Sequence, residues 1–508
     1  MPAPDFSLSV AIPRRWEAHH VVFAVLTCSY ALFCLSLANA PMQDLPNHLA
    51  RAHIIADLLL NQGRSFGNEF AVGLEFTPYL AGDLILAALD RLVGMEWTSR
   101  IWITASMLAL PWSTWFVLGV QGCSQKARVV GSLLALYLAT DWFFVSGFLN
   151  YRISVACVLF TYGWFLKAQA SGSAKAYLFY VLLLVAGYAM HLSALIFIAA
   201  AVASTLAIGV LGGRQSMGWG LVLLLPAMVV LVLHFGLTND HAGGQFATHW
   251  GTPASKLRRA LSSVVRFDAK WELPLFGAFL VAVFGALFGG GGLKQTLRSS
   301  STPLLLAAMF AALYVALPLE HGGVYDVDNR ALPLALLWLL LAGIVAFDSA
   351  TATHDWVFAL AVAVAGLNLL YLGIKILPQD RDMSAYKSIA GEVPSSARVL
   401  PVNTRLAMGR YEAFPHAGAF VTAQSGALTP YLFAAPLQPN IGYFRYLHRP
   451  QAPSLFWYTR NDDVVNWEKV RETYDYLLVT NPYDARRIPL PVAVTSSNNV
   501  ATLLKIEK

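Results

Sequence analysis

The sequence predicts an α-helical polytopic membrane protein of about eleven transmembrane helices with a small α/β domain outside the bilayer. Hydrophobic residues make up 57% of the chain and charged residues only 13%, whereas charged residues make up about 25% of a soluble domain. Apolar runs of roughly 17 to 22 residues recur, the length that a helix needs to cross a hydrocarbon core of about 30 Å. Beyond residue 378 the sequence becomes mixed and polar, rich in Pro, Gly and Tyr.

Each long apolar run is predicted to be a helix, because a helix satisfies its own backbone hydrogen bonds in the absence of water. One further segment, residues 79–94, would invert the topology if it crossed the bilayer. It contains Asp83 and Asp90, and a carboxylate at mid-bilayer costs about 2.5–3.5 kcal/mol. We therefore predict an amphipathic helix at the outer interface there. The predicted spans are residues 21–40, 101–120, 129–148, 151–166, 176–190, 192–211, 219–235, 273–289, 304–317, 331–347 and 356–377.

The positions of Lys and Arg predict the orientation of these spans. Arg14 and Arg15 precede the first span, which places the N-terminus in the cytoplasm. The composition suggests a bacterium, so we predict a multi-pass protein of the bacterial inner (cytoplasmic) membrane. Residues 1–377 form the membrane domain with a first outer loop at 41–100, and residues 378–508 form an extracytoplasmic domain. The short loops that alternation places inside all carry basic residues: Lys126, Arg128, Lys167, Lys175, Arg214, Lys294 and Arg298.

The four cysteines and the net positive charge predict two absences: a disulfide in the extracytoplasmic domain and a nucleic-acid partner. None of the cysteines lies beyond residue 377, so the extracytoplasmic domain is predicted to have no disulfide although it faces an oxidising compartment. The formal charge of +6 reflects the basic loops. No nucleic-acid-binding motif or basic stripe is present, so nucleic acid is not an expected partner.

A first group of polar residues follows the first span directly. Pro46 suits the first turn of a helix, which places Asp44 at the mouth of that helix. His48 and Arg51 are three residues apart and share one face of it. An acid, a histidine and an arginine would thus converge near the membrane surface. The alternative is a helix cap with solvated polar neighbours.

A second group lies at the outer end of a later span. Asp141 lies within or just above the outer leaflet, and Asn150 and Arg152 follow about ten residues later. An ionisable residue at such a depth usually faces a cavity or a partner, and function is the default hypothesis. The alternative is an intramembrane ion pair between Asp141 and Arg152 that holds two spans together. His191, also at a span end, is predicted to be a satisfied buried histidine.

A third group lies in a short outer loop between two strong spans. It contains Glu320, His321, Asp326, Asp328 and Arg330. Three acids with a histidine could hold a divalent cation such as Mg²⁺ or Mn²⁺, with Asp326 and Asp328 as its ligands. The guanidinium fork of Arg330 matches phosphate oxygens. A solvated turn explains the two aspartates equally well.

The region beyond residue 378 is predicted to form a small α/β domain. An amphipathic helix is expected over residues 464–474. The stretch 441–460, which includes Tyr443, is rich in aromatic residues and Arg. It could stack on sugar rings or headgroups, or it could pack in a core. Strands are expected at residues 398–401, 419–421, 476–479 and 501–506.

Taken together, these features resemble the GT-C superfamily of polytopic glycosyltransferases. The shared features are an acid directly after the first span, an amphipathic interface segment, Thr140-Asp141 at an outer span end and Arg330 in a late outer loop. The closing domain, with its sequence Tyr-Asp-Tyr-Leu-Leu-Val at 474–479, looks like the tail of bacterial members. The first outer loop departs from the pattern, because it has a single Asp where many members have paired acids.

The resemblance implies a substrate, a chemistry and roles for residues. Such proteins move a sugar from a polyprenyl-phosphate carrier to a lipid or glycan acceptor at the outer membrane face. By position, Asp44 matches the first-loop acid that serves as general base or lies near a metal, Asp141 matches the second acid, and Arg330 would bind the lipid phosphate. The resemblance makes His48, Arg51, Asn150, Arg152, Glu320 and His321 candidate substrate-binding residues.

Two alternative functions remain open. An O-antigen polymerase or ligase would use similar lipid substrates. A transporter or flippase is the alternative without catalysis, but transporters typically have repeated halves and broken mid-membrane helices. The sequence has no such repeat, and its acids lie at span ends.

Overall fold

The computed structural model is a helical bundle that carries a C-terminal α/β region. The structure describes residues 17–74, 76–213, 217–237, 248–289, 293–321, 324–349, 355–403, 413–435, 442–451, 465–482 and 488–508. Part of the aromatic stretch 441–460 and the start of the helix predicted at 464–474 lie outside these residues.

Sixteen α-helices are found in the described part of the chain. Nine of them are long and apolar enough to cross a membrane, judged by length and composition. In chain order they are α1 (Ala18–Ser36), α2 (Leu45–Leu60), α3 (Leu80–Val120), α4 (Gln125–Leu138), α5 (Trp142–Val145), α6 (Leu149–Ser171), α7 (Ala174–Met190), α8 (Leu192–Leu211), α9 (Met217–Leu237), α10 (Pro253–Val264), α11 (Ala269–Phe288), α12 (Leu293–Ala316), α13 (Leu332–Asp348), α14 (Asp355–Ala390), α15 (Phe420–Ser425) and α16 (Trp467–Thr473).

The prediction of a polytopic helical membrane protein is confirmed, with differences in the lengths of the spans. Every predicted span falls on one of these helices, but α7 has 17 residues and α4 only 14. The two spans that have almost no connector are α7 and α8, which meet at His191. Extended backbone at His191 ends one helix, and its Nδ1 accepts a hydrogen bond from the Ser193 N–H at the start of the next.

The span predicted at 129–148 is wrong at its C-terminal end. Helix α4 ends at Leu138, and the chain then makes a turn before the short helix α5. Asp141 is the N-cap of α5, and its carboxylate accepts a hydrogen bond from the Phe144 N–H at 3.1 Å. An aspartate at this position satisfies an N–H that the helix start leaves without a partner, so a polar cap interrupts the apolar run.

The segment predicted to lie at the interface is the first part of α3. The helix is broken at Gly94, whose φ of 78° and ψ of 162° are accessible almost only to glycine. Asp83 and Asp90 lie before this break, and the apolar residues of the predicted span 101–120 lie after it. The helix predicted over 79–94 is therefore present.

The helices place their ends alternately at two ends of the bundle. At one end, the loop before α2 lies beside the loop before α6, since the Asp44 N–H donates to the Ser146 carbonyl at 3.0 Å. We call this the Asp44 end. At the other end, Lys126 at the start of α4 pairs with Asp355 at the start of α14 at 2.5 Å. We call this the Lys126 end.

A buried polar network ties four helical segments together near the Asp44 end. Arg266 pairs with Glu272 at 2.7 Å and donates to the Thr140 carbonyl at 2.6 Å. It also donates to the side chain of Asn368 at 2.9 Å, and Asn368 in turn donates to the Tyr30 hydroxyl. Nε, Nη1 and Nη2 of this buried guanidinium all donate to protein oxygen atoms. Arg266 therefore has a structural role in joining these segments.

The C-terminal region contains a four-stranded sheet. It is built from β4 (Val399–Val402), β6 (Tyr476–Thr480), β7 (Val492–Ser497) and β8 (Ala501–Ile506), in the order β4-β6-β8-β7. Strand β4 runs parallel to β6, and the other neighbours are antiparallel. The strands predicted at 398–401, 476–479 and 501–506 are present, and α16 lies within the predicted helix 464–474. The strand predicted at 419–421 is wrong, because a 3₁₀ turn (Ala417–Ala419) and α15 occupy it.

The C-terminal region is joined closely to the rest of the chain. Helix α14 continues through Pro378 to Ala390, so the domain boundary predicted at 378 falls inside a helix. The short strand β1 (Phe70–Val72) pairs antiparallel with β5 (Phe444–Tyr446). Between them in the chain, β2 (Glu320–His321) and β3 (Val324–Tyr325) form a two-stranded hairpin. The first loop and the C-terminal region thus share one sheet.

Candidate active site

Asp44 lies at the start of α2 in a buried position. Its backbone is fixed by the hydrogen bond to Ser146, and Gly147 packs its Cα so closely there that a Cβ would lie 3.1 Å from the Asp44 nitrogen. Burial raises the pKa of the Asp44 carboxyl to about 8, because desolvation of the charged form outweighs the attraction of Arg330 and Arg51. A carboxyl group with a pKa near the working pH is suited to accept a proton and release it again.

His48 and Arg51 share one face of α2, as the sequence predicts. The Arg51 Nη2 donates to His48 Nδ1 at 3.1 Å. A guanidinium has donors only, so Nδ1 of His48 is the acceptor and the neutral ring carries its proton on Nε2. Burial lowers the pKa of His48 well below its usual range, so this ring presents a neutral N–H donor one turn from Asp44.

The guanidinium of Arg51 is held by a second acid, which lies in the predicted interface helix. Its Nε and Nη2 lie 2.6 Å and 2.8 Å from the two carboxylate oxygens of Asp83, and both side chains are at most 1% exposed. The Tyr443 hydroxyl donates to the same carboxylate. Arg51 was predicted to bind substrate, but this bidentate pair faces protein groups, so the geometry supports a role in fixing His48.

Residues from the C-terminal region complete the site. The Phe433 N–H donates to the side chain of Asn47 at 3.0 Å, and the Phe433 carbonyl accepts from Arg51 at 3.3 Å. The imidazole of His416 packs edge-on against the Phe433 ring, with its Nε2 at 3.4 Å from the Asp44 Oδ1. The acid that follows the first span is therefore contacted by a residue almost four hundred positions later.

Arg330 lies at the same end of the bundle as Asp44, at the start of α13. Its guanidinium carbon is 6.0 Å from the centre of the Tyr151 ring, and the Tyr151 hydroxyl donates to the Arg330 carbonyl at 2.6 Å. Among the charged groups that lower the pKa of Asp44, Arg330 has the largest effect. Within the described residues no carboxylate lies within 4.0 Å of it, and its buried Nε has no hydrogen-bond partner. This half-buried cation can bind an anionic group.

Asp141 and Arg152 form the ion pair that was the alternative to a catalytic acid. The Arg152 Nη1 lies 2.8 Å from the Asp141 Oδ2, and its Nη2 donates to the Leu138 carbonyl at 3.0 Å. Arg152 is 1% exposed. The pair and the cap on α5 together use both carboxylate oxygens of Asp141. This geometry supports a role in joining the end of α4 to α6.

Asn150 is placed differently from its neighbour Arg152. Its side chain is buried, and neither its oxygen nor its nitrogen has a hydrogen-bond partner among the described residues. A Cβ at Gly82 would lie 2.6 Å from the Asn150 nitrogen, so this amide lies against the helix that carries Asp83. A buried amide without partners is costly. A substrate hydroxyl or an ordered water at this point would satisfy it.

The third group of predicted residues divides in two. Glu320 and His321 form strand β2 and make their polar contacts with His249 and Thr248. Arg330, in contrast, faces the Tyr151 ring. Of the residues predicted to bind substrate in this loop, the structure therefore brings only Arg330 to the Asp44 carboxyl.

The predicted divalent-cation ligands face positive charges of the protein itself. Arg259 of α10 forms an ion pair with Asp326 and lies 3.6 Å from Asp328, and Lys256 lies 3.4 Å from Asp328. Asp328 is fully buried. The positive charges of Arg259 and Lys256 already compensate these carboxylates. A divalent cation would have to displace both side chains or bind against their repulsion. Asp326 and Asp328 do not fit the predicted metal site.

Three residues of the site had no role in the sequence-based prediction. Asp83 was considered only as an obstacle to membrane insertion, Tyr443 only as part of an aromatic stretch, and His416 not at all. The charge of Asp83 in an apolar helix was a signal that it needs a partner. No local pattern distinguishes His416, which follows a Phe-Pro pair in a short apolar stretch.

Comparison with known proteins gives a fold. No family model and no curated protein sequence matches the chain. The crystal structure of ArnT from Cupriavidus metallidurans bound to undecaprenyl phosphate is similar over 95% of this chain and 97% of that one, with a TM-score of 0.55 and 12% identity. The arabinofuranosyltransferase AftD from Mycobacteria matches over 95% of this chain and 41% of its own, at 13% identity and a TM-score of 0.42.

The likeness to ArnT covers nearly the whole of both chains. It therefore includes both the helical bundle and the C-terminal region. The predicted polytopic helical architecture with a C-terminal α/β region is confirmed, and this membrane protein has the ArnT fold.

Proposed function

We propose that this protein is an inverting GT-C-type glycosyltransferase that moves a sugar from a polyprenyl-phosphate carrier to a lipid or glycan hydroxyl. The observation that carries the proposal is that the buried Asp44 carboxyl, whose pKa is raised, lies at the same end of the bundle as the Arg330 guanidinium, which has no carboxylate within 4.0 Å in the described part of the chain. The ArnT structure with the same fold was solved with undecaprenyl phosphate, a carrier of the chemical class proposed here.

Asp44 serves as the general base in this proposal. A hydroxyl is a weak nucleophile until its proton is removed, so a carboxylate within hydrogen-bond reach takes the proton as the new bond forms. The acceptor oxygen bonds to the anomeric carbon while the bond from that carbon to the phosphate oxygen breaks. The products are the glycoside and the lipid phosphate, and the proton is on Asp44 until it passes to water.

Arg330 stabilises the leaving group. Breaking the sugar–phosphate bond adds one negative charge to the lipid phosphate, and a fixed guanidinium favours the transition state in which that charge develops. The Tyr151 hydroxyl holds the backbone of Arg330 at 2.6 Å, so the cation needs little reorganisation. His48 offers its Nε2–H to a substrate oxygen, and the Asp83–Arg51 pair keeps that ring oriented.

The role of a divalent cation remains a prediction that these residues do not support. Mg²⁺ or Mn²⁺ would neutralise charge on the phosphate, but Asp326 and Asp328 are compensated by Arg259 and Lys256.

The proposal also specifies on which side of the membrane the reaction takes place. With the N-terminus in the cytoplasm, the Asp44 end and the C-terminal region face the extracytoplasmic side of a bacterial inner membrane. The lipid tail of the donor stays in the bilayer throughout the reaction. Helices α2 and the first part of α3, which carry Asp44 and Asp83, then form the floor of a site at the membrane surface.

A transfer assay in proteoliposomes tests the proposal. Purified protein is mixed with radiolabelled polyprenyl-phosphate sugars and a pool of lipid and glycan acceptors, and label in the acceptor fraction is measured. Asp44→Asn should lower the transfer rate by about 10²- to 10⁴-fold. The matched control is Asp90→Asn, because Asp90 lies about two helical turns beyond Asp83 and pairs with the half-exposed His53. Undiminished transfer by Asp44→Asn would show that Asp44 is not the general base.

A lipid-linked glycan flippase is the second candidate, and one observation favours it. A cavity of about 750 Å³ lies at the Lys126 end of the same helices, lined by Gln121, Tyr162, Thr205 and Trp219 among others. A flippase needs access from both faces. In the same assay it would deplete labelled donor from one leaflet without forming a product.

A further inference from the structure

His416 makes the side-chain contact between the C-terminal region and Asp44. Its Nε2 lies 3.4 Å from the Asp44 Oδ1, and both residues are 8% exposed. His416 precedes the 3₁₀ turn Ala417–Ala419, which leads into α15. Both the turn and α15 pack against α2, the helix that Asp44 precedes.

The imidazole is held rigidly at this contact. The ring of Phe433 packs against His416 at 4.7 Å between centroids and against His48 at 5.9 Å. Two backbone hydrogen bonds fix Phe433 to α2, one to Asn47 and one from Arg51. The ring of His416 is therefore placed before any substrate binds, as preorganised catalysis requires.

We propose that His416 is a positioning residue for the general base, donating its Nε2–H to Oδ1 of Asp44 and leaving Oδ2 for the acceptor hydroxyl. The inference rests on the proposed function, because it assumes that Asp44 accepts the proton. It also assigns a role in the reaction to the C-terminal region, which nothing in the sequence pattern indicated.

The chemistry of the pair sets the direction of the effect. An ionised carboxylate has acceptors only, so the nitrogen that faces it carries the proton. Burial lowers the pKa of His416 to about 3, so the ring is a neutral donor at neutral pH. A hydrogen bond to the ionised form of an acid lowers the pKa of that acid. Loss of the donor would therefore raise the pKa of Asp44 further.

Other charged and titratable groups also face Asp44 and would remain in place. Arg51 and His48 lie on α2, Arg330 at the start of α13, and Asp326 in the loop before it. The two arginines favour the ionised form of Asp44, whereas Asp326 opposes it. Because these groups stay in place when only His416 is changed, a shift in the pKa of Asp44 in a His416 variant can be assigned to His416.

The test compares the pH dependence of kcat/KM in four His416 variants and one control. His416→Gln places an amide N–H near the position of Nε2, whereas His416→Asn is too short to reach it. His416→Leu and His416→Phe remove the donor. The control is His448→Leu, because His448 is an exposed histidine of the same region. Wild type and Asp44→Asn are measured beside them in proteoliposomes.

We expect the acid limb of the pH profile of kcat/KM to move to higher pH when the donor is lost. His416→Leu, His416→Phe and His416→Asn should move it upward by about one pH unit or more, which lowers the rate about tenfold below the midpoint. His416→Gln should restore most of the wild-type profile. The KM for the donor should stay the same, because the proposed hydrogen bond of His416 is to Asp44 and not to Arg330.

Different results would overturn different parts of the mechanism. If wild type transfers sugar and Asp44→Asn does not, but the His416→Gln and His416→Asn profiles coincide, the inference about His416 is wrong and the proposed function stands. An unshifted profile for His416→Leu leads to the same conclusion. If wild type forms no glycoside, or Asp44→Asn transfers normally, the proposed function itself fails. Comparing Gln with Asn keeps the test valid should the Leu and Phe variants fold poorly.

Discussion

Removing the charge of Asp83 should destabilise the protein strongly. Asp83 and Arg51 form a bidentate pair at 2.6 Å and 2.8 Å with side chains no more than 1% exposed. Asp83→Asn keeps the shape of the side chain but leaves the Arg51 guanidinium buried without a counter-charge. Breaking such a pair typically costs about 3–5 kcal/mol, and the Tyr443 hydroxyl loses a charged acceptor as well. A loss of this size is a large part of the stability of most domains.

The reasoning is checked by thermal unfolding in detergent, followed by intrinsic fluorescence and size-exclusion chromatography. Asp83→Asn should lower the apparent Tm by several degrees. The double variant Arg51→Met with Asp83→Leu removes both charges and should be more stable than Asp83→Asn, because no unpaired ion is left. The control Asp90→Asn removes an acid from the same helix, where a half-exposed histidine is its partner. An Asp83→Asn variant that unfolds together with the wild type would refute the argument.

Four further predictions follow from the site. Transfer should rise with pH and reach half its maximum near pH 8, because only the ionised Asp44 accepts a proton and its pKa is about 8; a midpoint near pH 4 in the kcat/KM profile would contradict this. The folded protein should lose stability as the pH rises from about 4 to 8, where the unfolded chain ionises Asp44 first, so Asp44→Asn should unfold at a higher temperature than wild type at pH 9. Arg330→Gln should lower kcat/KM by about 10²- to 10³-fold in steady-state assays, and Arg330→Lys by less; equal rates in both variants and wild type would exclude Arg330. Gly82→Ala should cost about 1–3 kcal/mol in thermal unfolding because its methyl group would strike the Asn150 amide, whereas the control Gly277→Ala meets nothing within 4 Å and should be neutral or slightly stabilising.

The helices were predictable because the bilayer imposes a length and a composition on each of them. Every predicted span lies on a helix, and the interface segment is one too. The errors fall where a polar contact ends a helix inside an apolar run. The cap that Asp141 places on α5 is such a case, since neither Phe143 nor Phe144 interrupts the apolar pattern. Hydrophobicity alone cannot locate that break.

Half of the candidate site was predictable for a similar reason. Asp44, His48 and Arg51 are close in sequence, and helical periodicity brings the last two together. Arg330 stood out because it lies at the mouth of a span and its guanidinium fork matches phosphate oxygens. Which acid pairs with which cation was not predictable, since the Arg51–Asp83 contact joins residues of two different helices.

The contribution of the C-terminal region lay beyond the reach of local pattern. His416, Phe433 and Tyr443 contact Asp44, Arg51 and Asp83 only because the chain folds back over α2. The strand error at 419–421 had the same origin. Those residues are apolar because α15 is buried against α2 and α14, and a short buried helix and a short buried strand cannot be told apart by hydrophobicity alone.

The pairing of β1 with β5 has a consequence for the synthesis of the protein. Phe70 is opposite Tyr446, so a sheet that begins in the first loop waits for a strand that is synthesised about 370 residues later. Contacts so distant in sequence form late. Asp44 has no His416 beside it until the segment that carries His416 has been synthesised. Under the proposed function, a chain cut before residue 413 should therefore insert into the membrane and remain unable to transfer sugar.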